Sequence, residues 1–146
     1  MGSDFSLPIF YDFMRIFVRL MDMKKILFTR HAKSSWSDTD ISDHDRPLNK
    51  RGIKSAQILS ETMRDEFEKV QEIYVSSAKR AQETAKILQL NRSKMSTHKN
   101  LYTFNFSELE AFIYSLDASA NYIQLIGHNP AFTDFVNMHS FVSVDN

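Results

Sequence analysis

KKILFTRHAKSS, residues 24–35, reads as a buried strand that turns polar within two residues, leaving Arg30 and His31 side by side where the apolar run stops. An arginine-histidine pair at one strand end is compatible with a plain solvated terminus. Its meaning depends on what the rest of the chain brings to the same edge.

Outward from this run, short β-rich stretches alternate with longer helical patterns. KKILFT, EIYVSS, the weaker KMSTHKNLY and NYIQLIG read as strands. LNKRGIKSAQILSETMRDEF, AKRAQETAKILQL, SELEAFIYSLD and PAFTDFVNMHS carry helical periodicity, the third opened by Ser107 with Glu110 three residues on as a capping-box pair. Strict alternation of this kind gives an α/β chain: a mainly parallel sheet with helices on both faces, a three-layer α/β/α sandwich. In such sheets, sites form beyond the carboxyl ends of the strands. No internal repeat, low-complexity tract or linker interrupts the pattern.

Three strand ends carry cationic or histidine chemistry. Arg30 and His31 follow the first. Arg80 follows YVSS in SSAKRAQET, where Ser76 or Ser77 is placed to cap a helix whose first-turn N–H groups and guanidinium would together cradle an anion. His128 follows IQLI in GHNPAF, with Asn129 as candidate N-cap and Pro130 suited to a first helical turn. Two arginines and two histidines converging on one edge suit a phosphoryl group. Its equatorial oxygens spread negative charge that the planar guanidinium fork matches, and a neutral imidazole can attack phosphorus in line.

Composition bounds the alternatives. The 146 residues, 42% hydrophobic with 12 phenylalanines, fit one domain with a sizeable core. Eighteen basic and 18 acidic residues balance, so no overall field recruits nucleic acid or an anionic membrane, and neither is expected as a partner. Cysteine is absent, removing disulfides, thiolate chemistry and the usual zinc and iron–sulfur ligand sets; no metal site is expected. Without an apolar run of roughly 20 residues or a signal-peptide pattern, the chain reads as cytoplasmic. Residues 1–22 stand apart: Asp12, Arg15, Arg19 and Asp22 recur at helical spacing in PIFYDFMRIFVRLMD, which reads either as a docking helix beginning near Pro8 or as an extension upstream of Met23 without a role in the chemistry. The functional domain is expected over 23–146.

Arg30-His31 with Ala32-Lys33, DRPLNKRG at 45–52, SSAKRAQET at 76–84 and GHNP at 127–130, in this order, resemble the motifs of the histidine phosphatase superfamily (branch 1), nearest its small SixA-type phosphohistidine phosphatases. The resemblance runs from about residue 24 to the C-terminus and implies a phosphoglycerate-mutase-like fold. It implies His31 as nucleophile, Arg30, Arg80 and His128 on the phosphoryl oxygens, and DRPLNKRG in the pocket wall. No cofactor is implied. The implied partner is a protein bearing phosphohistidine or a small phosphorylated metabolite.

Two features depart from the family pattern. THKNLYTFNFSE holds no carboxylate close to Leu101-Tyr102, where mutase-like relatives carry an acid; Asp43 and Asp45 are the remaining candidates for a proton donor. The chain also ends soon after the GHNP helix, at SFVSVDN, as though a final strand were missing, which bears on activity and on the sheet edge. Mutase-like or sugar-phosphate phosphatase chemistry and a non-catalytic phosphate-binding module stand as alternatives. Trp36 is either a pocket-mouth residue or a packing lid, and Lys33 either a solvated lysine, the preferred reading, or a source of positive potential for the pocket. His44, His98 and His139 lie off the strand-end pattern, while Phe104, Phe106 and Phe112 read as core or helix face.

Overall fold

Ile26 to Thr29 are buried because their strand has neighbours on both edges and helices over both faces. The computed structural model describes residues 15–20, 24–116 and 119–139. Its elements in chain order are β1 (Arg15–Leu20), β2 (Lys24–Arg30), α1 (Lys50–Thr62), α2 (Arg64–Lys69), β3 (Glu72–Ser76), α3 (Lys79–Ile87), β4 (Met95–His98), α4 (Phe106–Ser115), β5 (Tyr122–Gly127) and α5 (Ala131–His139). The sheet order is β1-β2-β5-β3-β4, with four parallel strands and β1 antiparallel at the edge. The expected α/β architecture and parallel sheet are therefore present.

Period-two alternation sorts β2 between two cores. Leu27 joins Ala56, Leu59, Phe67, Val75 and Ala85 under α1, α2 and α3. Ile26 and Phe28 join Leu109, Phe112, Leu125 and Phe135 under α4 and α5. Each fully buried side chain of this size contributes about 1.5–3 kcal/mol of transfer free energy. The chain steps outward from β2 to β3 to β4 and then back to β5. Right-handed crossovers consequently put the outward-going helices on one face and the returning ones on the other. Both directions leave carboxyl ends at one edge, and the register pairs Arg30 with Gly127 and Val75 with Ile126.

Local expectations are revised at several points. Arg15–Leu20 is a strand, not part of a helix: Ile16, Phe17 and Val18 suit extended backbone, and the segment pairs antiparallel with the edge of β2. Residues 8–14 and the terminal FVSVD lie outside the described residues. The long helix from residue 48 starts at Lys50, capped by Asn49 Oδ1 accepting from Gly52 N at 2.8 Å, and breaks at Met63 into α1 and α2. Asn105 rather than Ser107 caps α4, accepting from the Ser107 and Glu108 amides, because it occupies the extended position before the first turn.

Candidate active site

His31 is fixed through its backbone. Its N–H donates to Gly127 O at 3.0 Å, and the next amide, Ala32 N, donates to buried Thr84 Oγ1 at 2.9 Å. One ring nitrogen, Nδ1, lies 2.7 Å from Ala32 O. A carbonyl only accepts, so Nδ1 carries the proton and Nε2 keeps its lone pair. Arg80 Nε donates to that lone pair at 3.2 Å. Burial lowers the His31 pKa to about 4; the Ala32 hydrogen bond opposes the shift, and the charges of Arg80, Arg30 and Arg46 reinforce it. At neutral pH the imidazole is a neutral base with Nε2 unprotonated.

Arg80 is buried in the first turn of α3. Its Nη1 donates to Asp43 O at 2.5 Å and its Nη2 to Asp43 Oδ2 at 3.0 Å. Asp43 Oδ1 accepts from Arg46 Nε at 3.0 Å, and Tyr102 O–H donates to Oδ2 at 2.6 Å. Partial burial pushes the Asp43 pKa up, but hydrogen bonds from Tyr102 and Arg80 and the charges of Arg80 and Arg46 outweigh it and lower the value to about 2. Asp43 is therefore a carboxylate that braces two arginines. Asp45 is exposed and turns to Ser42 and His44, whose hydrogen bonds lower its pKa.

His128 is fully buried behind His31, with ring centroids 5.1 Å apart. Ser76 Oγ accepts from Ala78 N at 3.3 Å and lies 2.7 Å from His128 Nε2. His128 Nδ1, at the other side of the ring, is buried and, among the described residues, without a partner. Burial chiefly, with the His31 and Arg80 charges, lowers the His128 pKa to about 2.

A cleft of about 440 Å³ opens over this edge, lined by Arg30, His31, Arg80, Lys33, Arg46 and Asp43: four cations and one carboxylate besides the histidine. Trp36, 74% exposed, forms its mouth under the Arg46 guanidinium, 3.5 Å from the ring centroid. Phe104 and Asn129 also line it. A second groove of about 670 Å³ runs along α3, lined by Lys79, Gln82 and Met95, and holds no histidine. Among the described residues, no three His, Asp or Glu side chains gather as a metal site. No helix there is long and apolar enough to cross a membrane.

Of the four residues singled out from sequence, Arg30, His31 and Arg80 line the cleft, whereas His128 sits behind it. The expected cap at α3 is revised. Ala78 is the N-cap without a side-chain bond, and the Lys79 amide donates to His44 O at 2.9 Å, so that N–H is committed within the protein and is not part of an open cradle. Asn129 caps nothing: both of its side-chain polar atoms are buried without a partner. Arg46 is where the DRPLNKRG segment was expected, in the pocket wall, whereas sequence reasoning missed Tyr102 and Asn129 and read Phe104, which is 44% exposed and lines the cleft, as core or helix face. Of these three only Asn129 had a signal, as a member of the GHNP motif.

The fold of this site is shared. A phosphohistidine phosphatase SixA assignment from Agrobacterium tumefaciens superposes with a TM-score of 0.69 at 23% identity, covering 82% of this chain and 78% of that one. The protein histidine phosphatase SixA complexed with tungstate gives 0.64 at 20% identity, over 76% and 73%. Phosphoglycerate mutase-like protein 4 of Arabidopsis thaliana is 31% identical over 98 residues, 64% of this chain and 42% of that protein. The chain spans well under two thirds of the curated relatives it matches. The sequence profile of the histidine phosphatase superfamily (branch 1) matches residues 26–144, taking in all three strand ends that meet at the cleft, and the chain belongs to that superfamily.

Proposed function

We propose that the protein is a phosphatase that transfers a phosphoryl group to His31 Nε2 and then to water, acting on phosphohistidine in a protein or on a small phosphoester. The observation that carries this reading is the state of His31: a neutral imidazole, its tautomer set by Ala32 O, with Nε2 facing arginines in a cationic cleft. In the first step the Nε2 lone pair forms a bond to phosphorus while the bond to the leaving group breaks, and the Arg80 N–H shifts from Nε2 to a phosphoryl oxygen. In the second step water attacks phosphorus, the P–Nε2 bond breaks and the lone pair returns to Nε2. Arg30 and the uncommitted N–H groups of Arg80 stabilise the equatorial oxygens throughout. His128 is assigned to the same oxygens from its place beside His31.

The leaving group favours phosphohistidine. Asp43, the carboxyl group in the cleft, is ionised and has no proton to give at neutral pH. A departing imidazole whose other nitrogen is protonated needs little acid assistance, whereas a sugar or glycerate alkoxide does. Mutase or sugar-phosphate chemistry therefore stands second. A tungstate complex of a protein sharing this fold is consistent with oxyanion binding. The test is turnover of p-nitrophenyl phosphate and of a phosphohistidine-bearing protein in EDTA. Turnover should persist, His31→Ala should abolish it, and trapped enzyme should carry an acid-labile, base-stable phosphoryl group. Retained turnover in His31→Ala would refute the mechanism, and strict metal dependence would refute metal independence.

A further inference from the structure

Four polar side chains of the cleft are already engaged with partners. Arg80 is bound to Asp43 and His31, Arg46 to Asp43, and Asp43 to both arginines and Tyr102. Asn129 is different. It lines the cleft, yet its Oδ1 and Nδ2 are both buried and neither has a partner. Buried polar atoms in folded proteins are nearly always hydrogen-bonded, so a carboxamide with donor and acceptor both unmet calls for a ligand or a reason. Asn129 lies two residues beyond Gly127, the register partner of Arg30, and lines the same cleft as His31. Phe104 lines the same cleft, its ring 5.3 Å from that of His128, giving the neighbourhood an aromatic wall.

We infer that Asn129 is a specificity-determining residue for the leaving group, its carboxamide oxygen accepting the N–H of a planar nitrogen heterocycle, so that the cleft discriminates phosphoramidates from phosphate esters. The inference rests on reading the cleft as the phosphoryl-transfer site. When phosphorus is attacked, the P–N bond of a phosphoimidazole breaks and its electron pair goes to that nitrogen. The substrate form concerned is the ring-protonated one: its second nitrogen carries the proton before and after P–N cleavage, the ring leaves as neutral imidazole, and this N–H is what Oδ1 accepts, while Nδ2 remains free to donate to a phosphoryl oxygen. An ester oxygen offers lone pairs but no N–H, and leaves Oδ1 unmet. Sites built to hydrogen-bond a substrate N–H discriminate strongly against analogues that lack it.

The experiment compares wild type, Asn129→Ala and the near-isosteric Asn129→Leu on phosphoimidazole and on p-nitrophenyl phosphate, with melting temperatures recorded alongside. In a folded variant, kcat/KM on phosphoimidazole should fall at least about tenfold relative to its value on p-nitrophenyl phosphate. The melting temperature should hold or rise, because an unsatisfied buried amide has been removed. A purely structural Asn129 would instead lower the melting temperature and both activities together, and that result overturns the inference, as does an unchanged ratio. Wild-type turnover of p-nitrophenyl phosphate that survives His31→Ala refutes the phosphatase reading itself. His31-dependent turnover with an unchanged ratio refutes only the role of Asn129.

Discussion

Arg80 Nε aims its proton at His31 Nε2 across 3.2 Å, so the arginine that would stabilise the transferring phosphoryl group also occupies the lone pair that must attack it. The contact holds the imidazole unprotonated and its ring in place, and it has to be exchanged for a phosphoryl oxygen before bond formation. Arg80→Ala should therefore lower kcat on p-nitrophenyl phosphate by about 10²–10³, the effect of removing one preorganised donor. Arg80→Lys should recover little, since a point charge cannot span Asp43 and substrate as a planar fork does. Vanadate titration calorimetry should show weakened binding in both; equal binding in wild type and Arg80→Ala would remove Arg80 from the phosphate site.

The depressed His31 pKa sets an acid-side prediction. Between the unfolded value near 6.5 and the folded value of about 4, the unfolded chain binds the proton first. The stability contributed by the neutral buried ring is complete above pH 6.5 and is lost as pH falls through about 4. His128 extends the same trend toward pH 2. Imidazole ¹⁵N shifts of the free protein should place the His31 midpoint near 4, and a midpoint near 6.5 would show the ring to be solvated.

Asp43 joins bracing to stability. Its own side chain is 44% exposed, but the Arg80 and Arg46 side chains it pairs with are 2% and 9% exposed, so its removal leaves buried guanidinium charge uncompensated. Asp43→Ala should lower the thermal midpoint and also cut kcat/KM at least about tenfold by releasing Arg80 and Arg46 from their common anchor. Tighter vanadate binding in that variant would instead mark Asp43 as an anion competing with substrate.

Gly52 presses on the loop that follows His31. A β-carbon there would meet Lys33 O at 2.2 Å and Lys33 N at 2.9 Å, both backbone atoms, and Lys33 O already accepts the Asn49 amide at 3.0 Å. Gly52→Ala should destabilise by about 1–3 kcal/mol, the usual range for overpacking. Urea denaturation measures this directly; a variant as stable as wild type would show that α1 can move away from residues 31–34 at no cost.

What the sequence made legible follows from chain-local signals. An apolar run ending in Arg30-His31, or in Gly127-His128, announces a strand and its end, and alternation with helices aligns those ends without any knowledge of strand order. Asp43, Tyr102 and Phe104 carry no such mark, because their roles come from loops brought together across the fold. The same holds for the caps. Asn105 and Ser107 are both good N-cap types, and only the backbone path decides between them. In RIFVRL, charges at helical spacing coexist with β-favouring side chains, and pairing with β2 selects the strand.

That antiparallel pairing also bears on the order in which the sheet is assembled. Leu20 lies opposite Lys24, almost adjacent in the chain, whereas Lys25 must find Tyr122 and Glu72 must find Ile123. Closing a short loop takes far less time and entropy than bringing distant segments together. Among the described strands the β1–β2 pair is thus the most local contact, one that a growing or collapsing chain can form early, and it presents the remaining edge of β2 as a template before the partner that completes the cleft has arrived.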